Sequence, residues 1–541
     1  MARPIQLVSF LLASAFAPCA LAQQTGVPLD LGATGKPATP AGVTPGEPAP
    51  QADTSPAKSL STLSMDPAAP EMSSLPGGVT PAFGTLSTQP GDWRFDYHGI
   101  LFVPLRVGFN TRLSPAAGQS KLVLHAPPVV PENFEGFEYT NIIPDPWAQV
   151  NFSYGNRDVT ATVIIAARSV TEGDSYFNPP DQLGINDAFV TFRELSTDRL
   201  RLKLDVGAFA NRYGNMGEYD SGRYGTPVIA RLGGVGATQT GTYDFGDATF
   251  LAEVGLMGQL NKAPLGVEPA GWNGYLDPNV GTSFAPHAHV GVNYRGLGEL
   301  GLHFLSALSQ DDRATPTTQP DGHIDILAVD ARLTMRRYGH FYIAASEVAS
   351  HHARAVSDII QILNAPGGPG LMAEYFGPNS QGSGDLTILG AQYDVSVGNL
   401  LQYPRMFNGM GPDLVVSLFG VFTSVASADL STDSTGRKLY DGINKLKYGA
   451  EVSYAPLSWL AFSGRYDRVI RDLDDATKTT VILSPRVIFR SNYNARDQLV
   501  LQYSHWFNGS NVVVDSGAPP EPDPSIRPDE DVLSMMVSMW W

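Results

Sequence analysis

WAQVNFSYGNRDVTATVIIAARSV, residues Trp147–Val170, alternates on either side of a polar turn. Ala148, Val150, Phe152 and Tyr154 share one face of the first run, and Gln149, Asn151 and Ser153 the other. Gly155-Asn156-Arg157-Asp158 then supplies turn residues. In the second run Val159, Ala161, Val163, Ile165 and Ala167 form one face, with Thr160, Thr162 and Arg168 on the other. A period of two on both sides of a short turn specifies an antiparallel hairpin with one apolar face. What that face rests against has to be learned from the rest of the chain.

The same pattern runs from Trp93 to the last residue. RFDYHGILFVPLRVGF sets Phe95, Tyr97, Leu101, Val103, Leu105, Val107 and Phe109 against Arg94, Asp96, His98 and Arg106. Further alternating runs follow, down to VLSMMVSMWW, and eighteen such segments can be counted. The connections between them are sorted by length. Even-to-odd connections are short, apart from GNLLQYPRMFNGMGP. Most odd-to-even connections are long, as at 111–146, 212–234, 260–283, 350–384, 424–443 and 508–528. Turns on one side and loops on the other, with strands long enough to cross tilted, are the pattern of a transmembrane β-barrel. The expected fold is therefore all-β: an antiparallel barrel of 16–18 strands, with 18 favoured, over residues 93–541. Its apolar face meets lipid, which cannot hydrogen-bond to backbone, so the sheet must close on itself. Eighteen strands leave a lumen too wide for side chains to fill, and so a water-filled channel.

Composition agrees. Only 16% of the 541 residues are charged, while Gly numbers 55, Tyr 21 and Phe 25. The mean hydropathy of −0.09 suits apolar residues spread along alternating strands. A net charge of −17 argues against a nucleic-acid partner. At the N-terminus, Arg3, an apolar run from Ile5 to Phe16 and the Ala20-Leu21-Ala22 site read as a signal peptide over residues 1–22. The one cysteine, Cys19, falls inside it, so the exported chain is expected to make no disulfide. Residues 23–92 are rich in Pro, Ala, Gly and Thr, and read as a disordered linker.

From Trp93 onward the chain resembles a Gram-negative outer-membrane porin. The tail carries the sharpest likeness: Leu533, Met535, Val537, Met539 and Trp541 alternate to a terminal aromatic. The resemblance implies an assembly signal there, read by the barrel-assembly machinery. Porins commonly end in Phe, and this chain ends in Trp. The resemblance also implies a homotrimer in the outer membrane, with outer-membrane lipid around it and small hydrophilic solutes passing through. The loop after strand five would fold inward to narrow the pore. Here that is Arg212–Gly234, carrying Glu218, Asp220, Arg223 and Arg231 among glycines. Acids on the loop opposite Arg106, Arg168, Arg465 and Arg486 of the wall would set a field across the constriction. By strand parity the wall carries more basic than acidic side chains, which implies weak anion selectivity.

Enzyme motifs are weak. Gly296-Leu297-Gly298-Glu299-Leu300-Gly301 matches G-x-G-x-x-G, but no helix follows it. His287 and His289 share a face and would need a third ligand to hold a metal; lumen-facing polar residues explain them more simply. No cofactor, metal or catalytic residue is implied. The leading function is passive diffusion of small hydrophilic solutes and ions. The alternative is a non-conducting barrel acting as a surface receptor or adhesin, or less favourably a lipid-modifying barrel enzyme. Trp541→Ser should reduce insertion. Equal amounts of heat-modifiable barrel from mutant and wild type in isolated outer membranes would reject the signal role.

Overall fold

The computed structural model describes residues 93–109, 147–156, 158–168, 183–219, 224–260, 282–295, 297–310, 322–352, 359–362, 383–401, 413–427, 434–435, 442–457, 459–490, 498–509 and 529–540. The segments read as signal peptide and linker lie outside these, as does Trp541.

The strands are β1 (Arg94–Phe109), β2 (Trp147–Gly155), β3 (Val159–Arg168), β4 (Leu183–Ser196), β5 (Leu200–Tyr219) and β6 (Tyr224–Asp244). Then come β7 (Ala248–Leu260), β8 (Thr282–Tyr294), β9 (Gly298–Gln310), β10 (His323–Thr334), β11 (His340–His351) and β12 (Ile360–Ile362). The chain ends with β13 (Gly384–Ser396), β14 (Asp413–Ser427), β15 (Ile443–Leu457), β16 (Leu460–Ile470), β17 (Thr479–Arg490), β18 (Gln498–Asn508) and β19 (Glu530–Trp540). All except β12 pair antiparallel with their chain neighbours, and β11 pairs directly with β13. β1 pairs with both β2 and β19, which closes the ring. The wall is thus a closed eighteen-strand antiparallel barrel, and every strand of the sequence reading is present in it. β12 was not foreseen. It lies in the 350–384 connection and pairs with Ala230, Arg231 and Leu232 of β6.

Burial confirms which face is which. In β2 and β3, Gln149, Asn151 and Thr160 are buried, while Tyr154 and Ile165 are exposed. Along β19, Val532 and Ser534 are buried, and Leu533 and Met539 are exposed. Exposed apolar side chains on the outside of a closed sheet make a lipid-facing band. Aromatic residues gather at its short-turn edge, with Trp93 stacked on Tyr154 at 5.1 Å and Trp459 on Phe489 at 6.3 Å. Such rings prefer the membrane–water boundary, because one end is apolar and the other polar. Among the described residues no helix is long and apolar enough to cross a membrane.

Local chemistry sets the ends. Asn156 Oδ1 accepts from the backbone N–H of Asp158 and Val159, closing the β2–β3 turn at 2.9 Å each. After β13 the chain makes one helical turn, α1 (Val397–Leu400), which Ser396 caps by accepting from Asn399 N–H at 3.0 Å. Between β16 and β17, Asp475 accepts from Thr477, and those bonds hold its carboxyl below the usual range. Lys478 closes the same turn on Asp472 at 2.7 Å.

The lipid band makes a graded prediction. Leu418→Arg places a cation on the middle of the outward face and should cost about 2–4 kcal/mol of unfolding stability. Leu300→Arg, close to the short-turn edge, should cost about 1 kcal/mol or less. Urea unfolding of the barrel in liposomes measures both, and equal costs would mean the band is misplaced.

Candidate pore lumen

The inward-facing residues are sorted by height. Counted from the short-turn side, the lower part of the lumen is polar. It carries Glu253 on β7, His287 and His289 on β8, Glu299 and His303 on β9, and Asp330 on β10. Across the ring stand Glu451 on β15, Arg465 and Asp467 on β16, and Arg486 on β17. Higher up, most inward positions turn apolar, with Lys447 buried on β15 between Val421 and Val469, and Thr423, Thr480 and Glu530 buried beside them. Met257, Leu305, Ile326, Val348, Ile388, Val421, Val469, Ile482, Trp506 and Val532 all belong to one buried cluster, each on a different strand.

Val228, Ile229, Leu232, Ile359 and Ile360 belong to the same cluster, and they are not part of the wall. The expected loop Arg212–Gly234 is in fact the end of a long hairpin made by β5 and β6. Ala208 is the last residue of β5 paired with β4, and Val235 the first of β6 paired with β7. Beyond these points both faces of the hairpin are buried, as Phe209, Ala210, Arg212, Tyr213, Ile229 and Ala230 show. A strand covered on both faces has left the lipid-facing wall and packs inside it. β12 extends the hairpin into a small three-stranded sheet, and Gly233 N–H donates to Ile359 C=O at 2.9 Å.

Polar contacts seat the hairpin on the lower wall. Tyr213 donates to Glu253 Oε1 at 3.2 Å, and its ring stands edge-on to His303 at 5.6 Å. Asn211 Nδ2 donates to Thr238 Oγ1 at 3.3 Å, and His287 Nε2 lies 3.1 Å from the same oxygen. His289 and His303 are cross-strand partners on β8 and β9, and their Nδ1 atoms lie 2.8 Å apart. One of the two must carry the proton. His303 Nε2 reaches Asp330 Oδ1 at 2.7 Å, which continues the chain to β10. Among the described residues no group of three or more His, Cys, Asp or Glu is arranged to hold a metal.

The opposite wall pairs arginines with acids. Arg465 donates twice to Asp467 at 2.8 Å and stacks over Phe419 at 4.7 Å. Arg486 lies 3.4 Å from Glu451, which also accepts from Ser463 at 2.6 Å. On the ring β17 is the strand diametrically opposite β7, so Arg486 stands across the lumen from Glu253. Buried charges need such partners, since desolvating one alone costs several kcal/mol.

Of the residues proposed from sequence, Arg465 and Arg486 are brought together around Glu451. The backbone of Arg106 pairs with Ser534, and that of Arg168 with Trp147, which places both positions in the inward set. Glu218 belongs to β5 by its backbone, while Asp220 and Arg223 lie outside the described residues. Val537 and Met539 pair with Val103 and Leu101 of β1. The sequence reading missed the apolar cluster and the Tyr213–Glu253 and His303–Asp330 contacts. The G-x-G-x-x-G run spans the β8–β9 turn.

No protein-family model matches this chain, and no curated protein sequence does. Solved structures similar to it include the Pseudomonas aeruginosa channel OccK11 (OpdR), at 11% identity and a TM-score of 0.36, covering 83% of this chain and 96% of that one. Pseudomonas aeruginosa OpdK with vanillate is similar at 9% identity and a TM-score of 0.38, covering 83% and 99%. A BenF-like porin from Pseudomonas fluorescens is similar at 8% and 0.39, covering 83% and 98%.

The glycines of the lower wall are sized to its side chains. A Cβ on Gly301 would lie 2.4 Å from Asp330 Oδ1 and 3.0 Å from His303 Nε2, whereas one on Gly464 would meet nothing within 4 Å. Gly301→Ala should cost about 1–3 kcal/mol through forced displacement of Asp330. Gly464→Ala should be near neutral. Urea midpoints in liposomes compare them, and a silent Gly301→Ala would mean the His303–Asp330 contact is loose.

Proposed function

We propose that this chain is an outer-membrane porin, a passive channel for small hydrophilic solutes and ions. One observation carries the reading: a closed eighteen-strand wall, apolar outside, whose inner face is charged along its lower half. Paired acids on β7–β10 and arginines on β16–β17 offer alternative partners to a passing ion or polar solute, so it exchanges contacts without a deep trap. The polar inward side chains of β1–β3, His98, Gln149, Asn151 and Thr160, give a hydrated solute a path beside the hairpin.

The finer parts belong to the same proposal. The leader 1–22 exports the chain, the barrel-assembly machinery inserts it through the tail Val537–Trp541, and three copies associate. Glu218, Asp220 and Arg223 tune the constriction against the wall arginines.

A non-conducting receptor barrel is the second reading, and the apolar packing at the outer end of the lumen favours it. Planar-bilayer recording separates the two. Wild type should show discrete, weakly anion-selective steps. Ile229→Asp with Leu232→Asp puts charge into the apolar cluster, expels the hairpin and should raise unit conductance severalfold. Glu218→Gln with Asp220→Asn should shift the reversal potential in a salt gradient toward anions. Silence from wild type with steps from the opened variant would select the receptor reading.

A further inference from the structure

The outer end of the barrel wall has a gap that the ion pore does not use. β4 continues past Ala188, its last partner to β5, out to Leu183, where it still pairs with Ala167 of β3. β7 continues past Gly258 to Leu260, still paired with Thr282 of β8. Between them β5 and β6 turn into the lumen, so among the described residues no strand joins β4 to β7 at this height. The turn is built in. Gly207 has φ of +141°, and a Cβ there would lie 2.4 Å from Ala188 O. A Cβ on Gly236 would lie 2.0 Å from Leu256 O. At Gly207 only glycine permits both the conformation and the close approach, and at Gly236 the close approach.

Depth matters next. Ala208 is eight positions from Leu200 at the short-turn end of β5. A tilted strand climbs roughly 2.5 Å per residue, so the floor of the gap lies about 20 Å up an apolar band about 25 Å tall. It therefore opens against the hydrocarbon of the outer leaflet. Its rim is apolar: Ile185 is 68% exposed and Val235 66%. Behind the rim lie Phe209, Val228, Ile229 and Leu232, and behind those the apolar cluster of the outer lumen. Inward-facing Ile, Val, Leu and Trp offer nothing to a hydrated ion, with Lys447 and Arg212 the buried cations among them, and the charged chamber below offers nothing to a hydrocarbon.

We infer that the barrel has a lateral route, by which a small apolar molecule such as an alkyl or aromatic hydrocarbon passes from the outer lumen, between β4 and β7, into the outer leaflet. The hairpin fills this path in the present structure and moves aside about Gly207 and Gly236 to admit the molecule. Its apolar contacts are then replaced by those of the solute, so little apolar surface meets water. The polar headgroup layer, which an apolar molecule otherwise has to cross, is bypassed. This route requires the membrane barrel but not the ion pore, so the two readings can fail separately.

The test uses the full-length protein in intact Gram-negative cells and the apolar dye N-phenyl-1-naphthylamine, which fluoresces on reaching hydrocarbon. Wild type should speed dye entry over cells without the protein. Ile185→Asn with Val235→Asn makes the rim polar and should cut that gain at least severalfold, with unit conductance in planar bilayers unchanged. Leu308→Asn, an exposed outward position away from the gap, should leave both intact. If the double variant yields no heat-modifiable barrel, Val235→Thr takes its place and should give a smaller cut in the same direction. No gain from wild type, an undiminished gain in the rim variants, or an equal loss in Leu308→Asn would each overturn the route. Dye entry without conductance would reject the ion pore alone.

Discussion

A peptide group in hydrocarbon has no water to bond, and an unpaired N–H or C=O there costs several kcal/mol. That constraint determines most of this structure. It forces each strand to find two neighbours and β1 to meet β19, and it separates the inside from the outside. Once the ring is closed, side-chain alternation leaves only two destinations, lipid or lumen. The place where β5 and β6 leave the wall is therefore costly, and it needs a compensation. The structure supplies one. The departing strands pair with each other and, through Ala230–Leu232, with β12. Where their side chains are described, residues 209–213 and 228–230 are buried on both faces.

The lumen then divides by polarity, and the division follows from what fills it. Charged groups in the lower half are held in chains, such as His289–His303–Asp330 and Arg465–Asp467, because a charge shielded from bulk water needs an adjacent partner. In the upper half the hairpin brings Val228, Ile229 and Leu232, and the wall answers with aliphatic residues. Neither set works without the other. A water-facing ring of Ile and Val would be unfavourable, and an apolar hairpin in a charged lumen would not pack.

The barrel was legible because alternation and loop sorting repeat along the chain, so a local ambiguity in one strand could not hide the pattern. The inward course of the 212–234 segment was legible only by resemblance. Its apolar character was not read, although the signal was present. LHFLSALS, HIDILAVD and DLVVSLFGVF each stop alternating over part of their length, because both faces become apolar where the hairpin packs. Such a run still reads as a strand, and the loss of alternation was the clue to a covered inner face. β12 escaped because DIIQIL is short and lies within a long connection. The His303–Asp330 and Tyr213–Glu253 contacts join residues 27 and 40 positions apart, and only register brings them together. Ile185, Val235 and the gap were beyond reach, since nothing in sequence tells where paired strands part.

Two solute classes meet different energies in this lumen. Moving the hairpin out into water would expose Val228, Ile229, Leu232, Ile359 and Ile360 and the wall residues facing them. At roughly 1.5–3 kcal/mol for each buried aliphatic side chain, that opening costs on the order of 10 kcal/mol. A hydrated solute has nothing to offset such a cost, so its passage would leave the hairpin in place. An apolar solute of similar volume restores the lost contacts as it enters, and the opening it needs becomes small. The hairpin thus discriminates by what replaces it: it stays closed to water and yields to hydrocarbon. The same packing that makes the outer lumen tight to ions is what lets the gap between β4 and β7 serve a molecule that the charged chamber below would exclude.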